Sequence, residues 1–80
     1  MKTIYKFKIY DGATTKVPNL RYLLDVQLQD DDVVAWYEVD DKILPYAMIL
    51  VGTGREIPEG FKYLKTIQDP PWVWHVYYRE

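Results

Sequence analysis

The feature that most constrains this chain is an alternation of apolar and polar side chains with period two. Across Tyr22-Leu23-Leu24-Asp25-Val26-Gln27-Leu28-Gln29, one parity reads Tyr, Leu, Val, Leu and the other reads Leu, Asp, Gln, Gln. Successive side chains of a β-strand point to opposite faces, so such a segment lays one face on a core and the other largely in water. Residues 3–9 repeat the pattern, with Thr3, Tyr5, Phe7 and Ile9 on one parity and Lys6 and Lys8 on the other. Both runs are rich in β-branched or aromatic residues, which suit a pleated, half-buried surface.

The rest of the chain is punctuated to match. Asp30-Asp31-Asp32 interrupts, and Val33 to Val39 resumes until Asp40-Asp41-Lys42, so residues 22–39 are predicted to form an antiparallel hairpin. Tyr46 to Val51 is a continuous apolar run, as expected of a strand covered on both faces. Gly52-Thr53-Gly54 ends it, and Pro58-Glu59-Gly60 makes a second turn. Residues 61–68 place Phe61, Tyr63 and Ile67 on one parity, Asp69-Pro70-Pro71 stops that strand, and Val73 to Tyr78 reads as the last. Helical spacing occurs only at Leu20, Leu23 and Leu24, where alternation fits better and leaves at most a turn over Asn19–Arg21. These readings predict a single all-β domain over residues 1–80, a small antiparallel barrel or sandwich of six to seven strands.

Composition narrows the function classes. The chain has 80 residues, no cysteine and a formal charge of −2. Disulfides, thiolate metal sites and cysteine nucleophiles are therefore excluded, and a reducing, cytoplasmic setting is expected. Ten basic residues against twelve acidic ones argue against non-specific nucleic-acid binding, which draws on many cations facing phosphates. No apolar run reaches the roughly 18 residues of a membrane helix, and lysines break the apolar start of the chain, so no membrane association and no signal peptide are expected.

Few residues offer chemistry. Gly52-Thr53-Gly54-Arg55 is a turn whose amides could form an anion-binding nest, with the Arg55 guanidinium beside it. It lacks the Lys-Ser/Thr end of a P-loop, and Pro58 stops any helix that would follow. A plain tight turn between strands is the simpler explanation of the same residues. Asp30–Asp32 lacks the glycine and distal glutamate of a calcium loop, and a solvated turn accounts for it. His75 is the sole histidine, so it lacks the second nitrogen or sulfur that zinc sites normally use, and it reads as a half-exposed strand residue or as a contact to a phosphate or a base edge. Glu38, Glu56 and Glu59 show no spacing that pairs two carboxylates. The chain is therefore expected to be no enzyme and to carry no cofactor or metal.

The aromatic content stands out: three Trp, eight Tyr and two Phe. Each buries roughly 150–250 Å² when enclosed, and a core of this size cannot enclose them all. Neighbours such as Trp36-Tyr37 and Tyr77-Tyr78 fall on opposite parities, so aromatic surface is expected on both faces of a sheet. Packing together with tyrosines whose hydroxyls reach water accounts for such a surplus as well as an interface does, with either another copy or a flat ligand.

In order along the chain stand Trp36-Tyr37-Glu38-Val39-Asp40, Gly52-Thr53-Gly54-Arg55-Glu56-Ile57-Pro58, Tyr63-Leu64-Lys65-Thr66-Ile67-Gln68 and Val73-Trp74-His75-Val76-Tyr77. This arrangement resembles a family of short phage and prophage proteins of unknown function, over nearly the whole chain. It departs at the hairpin turn, where Asp30–Asp32 replaces an Asn/Gly type. The resemblance implies a phage-type binding protein in the cytoplasm of an infected bacterial host. Such a protein would counteract host defence by binding a host protein or by sequestering a nucleotide signal. The residues expected to hold a ligand are Trp36, Thr53, Arg55, Trp72, Trp74 and His75. The alternative is a structural homo-oligomer without a small ligand, whose aromatics form the subunit interface.

Overall fold

A computed structural model describes residues 3–17, 20–39 and 46–79. Among them are seven strands and no helix: β1 (Thr3–Lys8), β2 (Thr15–Val17), β3 (Leu20–Gln29), β4 (Asp32–Val39), β5 (Tyr46–Gly52), β6 (Lys62–Asp69) and β7 (Trp72–Arg79). They form two antiparallel sheets, β1-β4-β3 and β2-β5-β7-β6, which make a sandwich-like fold and not a closed barrel. Strand β2 goes beyond the segments read from the sequence, because its three residues are too few to show a period.

Each hairpin turn follows from its residues. Asp30 and Asp31 both have positive φ, 49° and 70°, and Gln29 pairs with Asp32 across them. Two central residues of that kind match the right-handed twist of the flanking strands, and aspartate tolerates the conformation better than most side chains. Asp32 also pairs with Lys8 at 3.0 Å, and that hydrogen bond raises the pKa of Lys8. The β6–β7 hairpin closes on Pro70-Pro71, whose peptide bond is cis. The predicted turn over Asn19–Arg21 is corrected for Leu20 and Arg21, which belong to β3, while Asn19 lies outside the described residues, as do Asp40 and Asp41.

The core lies between the sheets. Ile9, Val26, Val33 and Ala35 meet Met48, Leu50, Ile67 and Val76 in one cluster, with Phe7, Leu23, Leu64, Trp74 and Tyr78 packed against it. Removing such apolar area from water supplies most of the folding drive. Strand β5 is internal to its sheet, and Ala47 to Val51 are all buried, as its unbroken apolar run predicts. The aromatic neighbours divide across their strands. Tyr37 is buried, and Phe7 meets it edge-on at 5.0 Å between ring centroids. Trp36 pairs with Lys6 and Asp25 instead.

Strict alternation fails between Leu20 and Tyr22, where the β3–β4 register first shifts, and in two further places. The β3–β4 register shifts again between Leu23 and Asp25, and the β6–β7 register shifts between Tyr63 and Lys65. Each of these latter two shifts inserts an extra residue, Leu24 or Leu64, and exchanges the faces on either side. Leu23 and Val26 therefore both reach the core, while Leu24 is 50% exposed. Leu64 and Ile67 likewise reach it, and Tyr63 is left outside.

Candidate functional site

The end of β5 and the start of β7 meet beside the Gly52-Thr53-Gly54-Arg55 turn, because Gly52 is paired with Trp74. The Arg55 amide donates to the Gly52 carbonyl at 3.0 Å, and Gly54 has a φ of 89°. Glycine at the third position with positive φ identifies a type II turn. The Arg55 amide is thereby used within the turn, so the nest read from the sequence loses one of its donors. What remains for an anion is chiefly the Arg55 guanidinium, which no carboxylate among the described residues engages.

Gly52 is the floor of a cleft. A Cβ built there would meet Arg55 Cγ at 3.6 Å and Trp74 Cζ3 at 3.6 Å, so both side chains rest on this glycine. The Trp74 indole is half-buried against the core, and its Nε1–H donates to Asp69 Oδ2 at 3.3 Å. Trp72 stacks on Trp74 with ring centroids 6.3 Å apart and planes 29° from parallel. Trp72 is nonetheless 60% exposed. The cleft holds about 460 Å³ and is lined by Asp11, Thr53 and Arg55 besides Gly52 and the two tryptophans.

Asp11 comes from the connection between β1 and β2. The Leu50 amide donates to the Tyr10 carbonyl at 3.1 Å and the Gly12 amide donates to the Leu50 carbonyl at 3.4 Å, which fixes this segment along β5. A second hollow of about 350 Å³, with Glu56 and Pro58 on its wall, shares Asp11 and Arg55 with the first.

Next to the cleft, at the surface, runs a chain of hydroxyls and imidazole. Thr53 Oγ1 lies 2.9 Å from His75 Nε2, and Thr66 Oγ1 lies 3.0 Å from His75 Nδ1. The Tyr63 hydroxyl lies 2.8 Å from Thr66 Oγ1. His75 is thus held at both ring nitrogens and touches the cleft only through Thr53.

The structure brings Thr53, Arg55, Trp72 and Trp74 onto one cleft and joins His75 to Thr53 by a hydrogen bond. Trp36 does not join them. It lies on β4 in the other sheet, between β1 and β3, on the face of that strand opposite to buried Tyr37. The sequence reading did not single out Asp11, Tyr63, Thr66 or Asp69. Thr66 could have been found by counting outward from Pro70-Pro71, since Asp69–Trp72 pairing leads residue by residue to Thr66–His75. Asp11 carries no such signal, because its place depends on contact with a strand far along the chain.

A stacked indole offers a planar face to any aromatic ring. A guanidinium makes charge-assisted bonds to phosphate or carboxylate, and a carboxylate such as Asp11 accepts from hydroxyl or amino groups. Among the described residues, no three His, Cys, Asp or Glu gather to hold a metal ion. No helix among them is long and apolar enough to cross a membrane. No curated protein and no solved structure matches the chain. A family model described as a domain of unknown function (DUF7352) matches residues 1–80, and the chain belongs to that family.

Proposed function

We propose that this chain is a non-enzymatic binding module that takes a nucleotide into the Trp72–Trp74 cleft. The observation that carries the reading is Trp72, which is 60% exposed yet held in a stack beside a guanidinium that no carboxylate among the described residues engages. An indole left in water forgoes the roughly 1.5–3 kcal/mol that burial of a large apolar side chain brings, which is reasonable where a ligand covers it. The base would stack on Trp72, worth about 1–3 kcal/mol, and the phosphate would face Arg55.

The resemblance to short phage and prophage proteins supports a role in which the module withdraws a nucleotide signal of host defence in the bacterial cytoplasm. A nucleotide is favoured over a host protein or a second copy of the chain because the exposed tyrosines do not gather on one sheet. Tyr5 and Tyr22 lie on the three-stranded sheet, Tyr63 on the four-stranded one and Tyr10 in the connection between β1 and β2.

Titration of intrinsic tryptophan fluorescence with cyclic mono- and dinucleotides tests the reading. Saturable quenching that weakens in Arg55→Ala supports it. Unchanged affinity in that variant would remove Arg55 from the site, and no response to any nucleotide would return the choice to a protein partner.

A further inference from the structure

The nucleotide reading of the cleft leaves the Tyr63–Thr66–His75–Thr53 chain without a role. Thr53 is the one member of it that lines the cleft. A hydroxyl has one proton to donate and lone pairs to accept with, so what Thr53 offers a ligand depends on what it gives His75. When Nε2 carries no proton, Thr53 donates to it at 2.9 Å and turns only lone pairs to the cleft. Those lone pairs repel a phosphate oxygen. When Nε2 carries a proton, Thr53 accepts from the ring and its own proton is free for the ligand.

The neutral ring can take either tautomer, since Thr66 Oγ1 can accept from Nδ1–H or donate to bare Nδ1 across 3.0 Å. The imidazolium admits one arrangement. Both nitrogens donate, Thr53 becomes a donor to the cleft, and a positive charge stands next to it. We infer that His75 is a positioning residue for the cleft, fixing the hydrogen-bond direction of Thr53, and that anion uptake is thereby linked to protonation of His75. The inference rests on the nucleotide reading.

The surroundings of the ring fit this role. On β6 it faces Thr66, with Tyr63 beyond; on β5 it pairs with Val51; on its own strand Tyr77 shares its face. From the turn come Thr53 and, two residues on, the Arg55 cation. Among the described residues no carboxylate hydrogen-bonds the ring, so no fixed anion competes with the ligand for its charge. Imidazole is the side chain whose ordinary titration falls between about pH 5 and 8.

Cyclic AMP is a suitable probe, because its phosphodiester keeps a single charge across that range. Its affinity is measured by tryptophan fluorescence at about pH 5.5 and about pH 8 in the native chain and in Thr53→Val. The expected result is binding about tenfold tighter at the lower pH in the native chain, and less than about threefold in Thr53→Val. Linkage also requires that cyclic AMP shift the titration midpoint of His75 upward, read in the native chain from the imidazole NMR signals of the sole histidine. Equal affinity at both pH values, an unmoved midpoint, or an undiminished pH effect in Thr53→Val overturns the inference and leaves the cleft reading standing. Absence of cyclic AMP binding at both pH values overturns the inference, and absence of a response to every nucleotide overturns the cleft reading with it.

Discussion

Asp25 on β3 and Lys65 on β6 join the edge strands of the two sheets through an ion pair of 2.6 Å. Each stands next to the leucine at which its strand shifts register, Leu24 in one and Leu64 in the other. The Gln27 side chain and the Val26 amide also donate to Asp25. The hydrogen bond from Lys65 and those two donors lower the Asp25 carboxyl from 3.8 to about 2. A carboxyl lowered on folding stabilises the native state above its unfolded pKa and ceases to do so as pH falls through the folded one. Thermal melts should therefore show Asp25→Asn destabilised at neutral pH, with the gap to the native chain closing between about pH 4 and pH 2. Both side chains are about two-fifths exposed, so added salt should shrink the gap.

The Asp30-Asp31 turn is tolerable but not optimal. Asp31 sits at a φ of 70°, where glycine meets no Cβ penalty. Asp31→Gly should raise stability by up to about 1 kcal/mol in urea melts, with an unchanged m-value. A loss of stability would show that the aspartate side chain supports the turn more than its backbone strains it.

The two glycines of the cleft turn should behave differently. Gly54 has a φ of 89°, so Gly54→Ala should cost about 1 kcal/mol or more and distort the turn that places Arg55. Gly52 lacks that constraint, and an added methyl would meet its neighbours at ordinary contact distance, 3.6 Å. Gly52→Ala should leave the melting temperature nearly unchanged while raising the cleft floor. Weakened nucleotide binding in Gly52→Ala without loss of stability would separate the cleft from the fold.

Much of this architecture is legible in the sequence, for reasons particular residues show. Ala47 to Val51 read as doubly covered, and they are, because an unbroken apolar run has only one low-energy place in a sheet. Phe7 and Ile9 point inward as their alternation with Lys6 and Lys8 requires. Leu23 and Leu64 were not legible as core residues. A register shift leaves no mark on composition, and period two before and after it looks continuous. The cleft was half legible. Gly52-Thr53-Gly54-Arg55 announces a turn, and Trp72 with Trp74 announces a parity. Asp11 joins them through bonds to Leu50 that local patterns do not encode.

The central claim concerns Trp72. Calorimetric titration of cyclic AMP into the native chain, Trp72→Ala and Trp36→Ala tests it most directly, since both tryptophans lie outside the main core cluster but only one lines the cleft. The account predicts that Trp72→Ala weakens binding by at least about fivefold, the loss of about 1 kcal/mol or more of stacking, and that Trp36→Ala binds as the native chain does. Equal affinity in Trp72→Ala and the native chain would contradict it.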